Sequence, residues 1–133
     1  ELCLDNVVFL PRQPKSAMPG LWAACDISLI TLRDQPLFST VIPSKIFESM
    51  GMGLPIVISI PRGEAVELVE DSGAGVWVAP EESQALAEAL AGLVDEPDRL
   101  AEMVEASAAA APQYSRDRLA GEMLEVLARM VGN

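Results

Sequence analysis

Apolar residues along the chain fall into two alternating kinds of run. Short, nearly uninterrupted and β-rich runs stand at residues 6–10 (NVVFL), 27–32 (ISLITL), 54–60 (LPIVISI) and 75–79 (GVWVA). That is the composition of strands covered on both faces. Between them apolar residues recur at helical spacing. Met18, Leu21, Trp22 and Cys25 follow Ser16, a candidate N-cap, with Pro19 tolerable only in a first turn. Ile46, Phe47 and Met50 follow Pro43, which suits a first helical position, and Gly51 and Gly53 stop that stretch. Residues 62–73 carry acids at their start and a glycine at their end, the polarity of a helix dipole. Residues 33–42 have no period and read as a loop. Beyond residue 80 the pattern is helical alone, in three successive segments, with the alanine-rich 106–111 being helix composition and not a repeat.

Strands alternating with helices predict an α/β fold: a Rossmann-like parallel sheet with helices on both faces, followed by a helical C-terminal region. Sheets of this kind take ligands outside the carboxyl ends of their strands. The loops at 10–17, 32–44 and 59–63 are therefore the places to look for chemistry.

Composition narrows that chemistry. With 133 residues the chain is one domain's worth of protein, and 50% apolar with 22% charged residues is ordinary globular usage. The net charge is 9 − 20 = −11, which disfavours nucleic acid or anionic lipid as a general partner. Most of the excess lies after residue 60, so a phosphate-bearing ligand has to bind near the few bases of the first half. There is no histidine, so the commonest metal ligand and neutral-pH base is missing. No metal is expected. Cys3 and Cys25 have no paired spacing and read as small buried residues of a reducing cytosol. No apolar run is long enough to span a membrane, and the start ELCLDNVVFL lacks the basic head of a signal peptide. It reads as a piece cut from something longer.

The most informative stretch is PSKIFE. Ser44 and Lys45 fall in the first turn of a predicted helix, where free amides and the positive end of the helix dipole suit a diphosphate. Glu48 lies four residues from Ser44 and three from Lys45, on the same side one turn deeper. A carboxylate so placed can accept two hydrogen bonds from neighbouring hydroxyls, as a ribose offers. The plainer reading of Lys45 and Glu48 is an exposed helical ion pair, worth a few tenths of a kcal/mol. Arg62 is a candidate anion contact and Glu64 a dipole-compensating acid; Arg12 and Lys15 read as solvated charges, Trp22 and Trp77 as core. GMG at 51–53 follows a helix and precedes a strand, the reverse of the dinucleotide-binding order.

Three blocks, NVVFLPRQPKSAMPGLWAACDISLI, PSKIFESMGMGLPIVIS and GEAVELVEDSGAGVWVAPEESQALAEAL, resemble in order and spacing the carboxy-terminal half of family four glycosyltransferases of the GT-B fold. They look closest to bacterial members that transfer an N-acetylated amino sugar in cell-surface polysaccharide synthesis. The resemblance runs from about residue 6 to residue 95, and the final helices fit it in kind.

It implies a retaining enzyme of two domains. Its second domain binds a nucleotide-diphosphate sugar, here a UDP-sugar with no other cofactor. Its first domain holds a lipid-linked or saccharide acceptor. Residues 1–133 then form the donor-binding domain without its first strand-helix unit and without the N-terminal domain, which is the missing partner; the fragment alone is expected to be inactive. The full-length protein is expected in the cytoplasm, peripheral to the inner face of the membrane. Glu48 matches the second acid of the family's Glu, seven residues, Glu motif and would hold the donor ribose. The amides of Ser44 and Lys45 would face the diphosphate, and the backbone of Leu10 and Pro11 the base. The first acid's position is occupied by Thr40, which departs from the pattern at the donor sugar. A sugar-nucleotide 2-epimerase shares the architecture, but its acid and histidine constellation does not appear. A receiver-like regulatory domain would need acids at the strand ends, which here are Leu10, Leu32 and Ile60, with only Asp34 close by.

Overall fold

The computed structural model describes residues 4–131. Three parallel strands, β1 (Ser28–Thr31), β2 (Ile56–Ser59) and β3 (Gly75–Val78), lie in the order β1-β2-β3. The register pairs Ser28 with Ile56 and Ile56 with Gly75. Helix α1 (Met18–Trp22) precedes β1, α2 (Lys45–Gly51) joins β1 to β2, and α3 (Glu64–Asp71) joins β2 to β3. Helices α4 (Ser83–Asp95), α5 (Pro97–Ala110) and α6 (Arg116–Val131) complete the chain.

Alternation along β2 divides the core in two. Ile56 and Ile58 point to one face, where they meet Ile46 and Met50 of α2 and Ala65, Val66 and Val69 of α3. Val57 points to the other, against Val78, Leu93 of α4 and Met103 of α5. All four residues of β2 are buried, because it has a strand on each side and helices above and below. Each wholly buried isoleucine here is worth about 1.5–3 kcal/mol relative to an exposed one. Ser107 of α5 donates to the Leu54 carbonyl at 2.8 Å and fastens α5 to the start of β2. Gly53 and Gly73 end α2 and α3 at φ of 67° and 70°, the left-handed backbone that glycine enters without penalty. Among the described residues no helix is long and apolar enough to cross a membrane.

The α/β architecture with a covered parallel sheet and a helical tail agrees with the pattern of the sequence. Four local expectations do not. Residues 6–10 form no strand; Val8 is 79% and Phe9 92% exposed. A β-rich run becomes a strand only when a neighbour saturates its backbone, and no strand among the described residues pairs with this one. Ser16 does not cap α1, since it sits inside a 3-10 turn, Lys15–Ala17, with no side-chain cap bond. Cys25 is exposed, because α1 ends at Trp22 and leaves it beyond the half-buried Met18, Leu21 and Trp22, its thiol donating to the Leu21 carbonyl at 3.3 Å. Cys3 lies outside the described residues. Finally, α2 begins at Lys45 rather than Pro43, with Ser44 in the capping position; the Pro43 carbonyl accepts from the Ile46 amide.

Candidate functional site

Three connections meet at the carboxyl ends of the strands: the link from β1 to α2, the 61–63 turn after β2 and the residues following β3. The first, predicted as a plain loop, contains a 3-10 turn, Pro36–Thr40. Ser39 and Thr40 donate their hydroxyls to the carbonyls of Pro36 and Leu37 at 2.8 and 2.9 Å, which gives the turn an internal frame. Thr40 is exposed there.

Gly63 fits this frame because it has no side chain. A Cβ added to it would overlap the Ser39 carbonyl and stand 2.9 Å from the carbonyl carbon. Its backbone is extended, so the requirement is space, not conformation. Next to it, the Arg62 guanidinium lies 4.1 Å over the Trp77 ring and 3.1 Å from Glu70. Trp77 donates its Nε1–H to the Ile60 carbonyl at 2.8 Å. Arg62 thus works on the protein itself, bracing the 61–63 turn, and Trp77 is half-buried beneath it.

Ser44 and Lys45 are both exposed at the leading end of α2. Neither amide donates to a carbonyl among the described residues. Glu48 is exposed one turn further on, its Oε1 3.4 Å from the Ser44 hydroxyl. That distance is too long for a strong bond to a carboxylate, so the acid keeps most of its accepting capacity. It lines a groove of about 490 Å³ with Lys15, Met18 and Trp22 from the α1 side, Met52 beyond α2 and Arg116 at the start of α6. A second groove of about 320 Å³ shares Met18 and Trp22 with the first and runs between Trp22, Leu29 and Lys45. No ion pair joins Glu48 to Lys15, Lys45 or Arg116 among the described residues.

The structure therefore brings Ser44, Lys45 and Glu48 to the first turn of α2, Glu48 and Lys45 lining different grooves, with Thr40 just ahead of it in the chain. Arg62 belongs to the neighbouring turn and is engaged there. Leu10 and Pro11 are exposed coil, and the Pro11 carbonyl accepts from Gln13 at 3.0 Å. Sequence reasoning missed Lys15, Trp22 and Arg116. Lys15 read as solvated and Trp22 as core; only their convergence on Glu48 from separate elements marks them. A third groove, about 330 Å³, opens at the ends of β1 and β2 between Thr31, Arg33, Ser59 and Glu81. Glu81 there adopts φ 63°, uncommon for a side-chain-bearing residue.

Comparison with known proteins gives this geometry a family. The chain is 36% identical over 75 residues to a probable glycosyltransferase, WbjE, of Pseudomonas aeruginosa. That match takes in 56% of this chain and 18% of the relative. The crystal structure of Anabaena HepE in complex with UDP superposes at a TM-score of 0.71 with 27% identity, over 86% of this chain and 30% of HepE. The chain thus spans under a third of either relative. The sequence model for group 1 glycosyl transferases matches residues 1–96, a stretch that holds the whole sheet, α2 and the Ser44–Glu48 corner, and by that match this chain belongs to the group 1 glycosyl transferases.

Proposed function

We propose that residues 1–133 are the donor-binding portion of a retaining glycosyltransferase that takes a sugar from a nucleoside diphosphate. The observation that carries this reading is the corner at the head of α2. Two amides without carbonyl partners among the described residues stand one turn from a carboxylate with spare acceptor capacity, at the carboxyl ends of a parallel sheet. Glu48 accepts the ribose hydroxyls. The amides of Ser44 and Lys45, with the Lys45 ammonium, face the diphosphate. Thr40 lies toward the donor sugar, and the backbone at Leu10 and Pro11 toward the base. Uridine is the base favoured, since HepE was solved with UDP. An N-acetylated amino sugar, a lipid-linked or saccharide acceptor, and cell-surface polysaccharide synthesis at the inner membrane face are what the three sequence blocks support.

The same reading makes this chain part of a larger catalytic body. The far edge of β1 has no partner strand among the described residues. A strand of the same domain pairing there would complete the sheet, and a further domain would hold the acceptor. Positioning and charge stabilisation are then divided between two bodies, so the 133 residues alone transfer no sugar.

Calorimetric titration with UDP and UDP-N-acetylglucosamine tests the site. The expected result is millimolar binding that Glu48→Ala weakens by about tenfold, the worth of a charged hydrogen-bonding partner. Equal titration curves for the two proteins would remove Glu48 from the donor site.

A further inference from the structure

The face of α2 turned away from solvent is apolar except at one place. Ser49 is completely buried, and its Oγ stands 2.7 Å from the hydroxyl of Ser28, itself only 6% exposed, at the start of β1. The same Oγ is 2.7 Å from the Lys45 carbonyl. A hydroxyl has one hydrogen. The arrangement that uses both protons has Ser49 donating to Lys45 and accepting from Ser28. Every buried polar atom in the pair is thereby satisfied, and the pair is the side-chain hydrogen bond joining α2 to β1 among the described residues.

We infer that Ser28 and Ser49 are positioning residues that set the rotation of α2, and through it where Glu48 and Lys45 point. The rest of the contact cannot do this as sharply. Ile46 and Met50 hold α2 down by burial, which is non-directional, and methionine adapts readily to a shifted neighbour. A hydroxyl pair at 2.7 Å is directional. Successive helical residues are about 100° apart, so Ser49 fixes the azimuth of Glu48 beside it. A rotation of about 30° would carry a carboxylate held roughly 6 Å from the axis through about 3 Å, a full hydrogen-bond length. Ser49 also grips the carbonyl of Lys45, whose own amide donates to no carbonyl among the described residues. The ligand-binding half of this inference rests on the donor-site reading of α2; the rotational half does not.

The test separates the two. Ser49→Ala strands the Ser28 hydroxyl in the core and should lower the melting temperature. Ser28→Ala leaves Ser49 bonded to Lys45 and should do so less. Removing both hydroxyls leaves no orphan, so the double variant should melt within about 4 °C of the parent. The expected signature is that amide exchange across residues 44–52 stays faster than in the parent although melting is restored, and that the UDP dissociation constant rises by about fivefold. Parental exchange at 44–52 in the double variant overturns the inference. Fast exchange with unchanged UDP affinity overturns its ligand-binding half. Fast exchange in a protein whose parent binds no UDP upholds the rotational half and overturns the donor-site reading. If Ser49→Ala does not fold, Ser28→Ala decides by the same exchange measurement, with parental exchange again the overturning result.

Discussion

Helices α2 and α6 are opposites. The first has seven residues, of which Ile46, Ser49 and Met50 are buried. The second has sixteen and buries none, although Leu119, Met123, Leu127 and Met130 recur at helical spacing and are 49–72% exposed. Periodicity states that a helix has an apolar face; it does not state what covers that face. Short α2 holds because β1 and β2 lie beneath it, and most helical stability comes from such packing rather than from length.

The contrast predicts a graded set of effects. Met50→Ala, which empties a fully buried site under α2, should cost about 2–5 kcal/mol in chemical denaturation. A loss below 1 kcal/mol would mean that α2 is not anchored as described. Gly63→Ala should cost about 1–3 kcal/mol, because the added methyl meets the Ser39 backbone rather than a movable side chain. It should also disturb the connection leading into α2, read as changed nuclear magnetic resonance shifts at Ser39 and Thr40; unchanged shifts would deny the link. Leu124→Ala in α6, at a residue 66% exposed, should change stability by less than about 0.5 kcal/mol. A larger loss would give α6 a partner within this chain and cancel the contrast.

How far the sequence could be read follows from the same distinction between pattern and partner. The β2 run was legible because its continuous apolar residues are answered by neighbours on all sides. Residues 6–10 carry the same signal and no ladder, since strand formation depends on a second backbone that composition does not encode. In the candidate site, Ser44, Lys45 and Glu48 could be read because they fall on one helix and its cap, where spacing fixes relative position. Lys15, Trp22 and Arg116 could not, because tertiary packing alone brings them to the same groove. Arg62 had the right charge in the right turn, but its engagement with Trp77 and Glu70 is invisible to local spacing. The buried Ser28–Ser49 bond escaped for the same reason.

The outer margin of β1 bears on how this polypeptide behaves in the test tube. Ser28 and Leu32 direct their amides to β2, so alternation turns those of Leu29 and Thr31 outward. No proline, lysine or bulge interrupts the SLIT segment to blunt it. Such a margin is a template onto which another chain's backbone can zip, so a strip four residues long works against the repulsion that a net charge of −11 sets up between copies of the isolated chain.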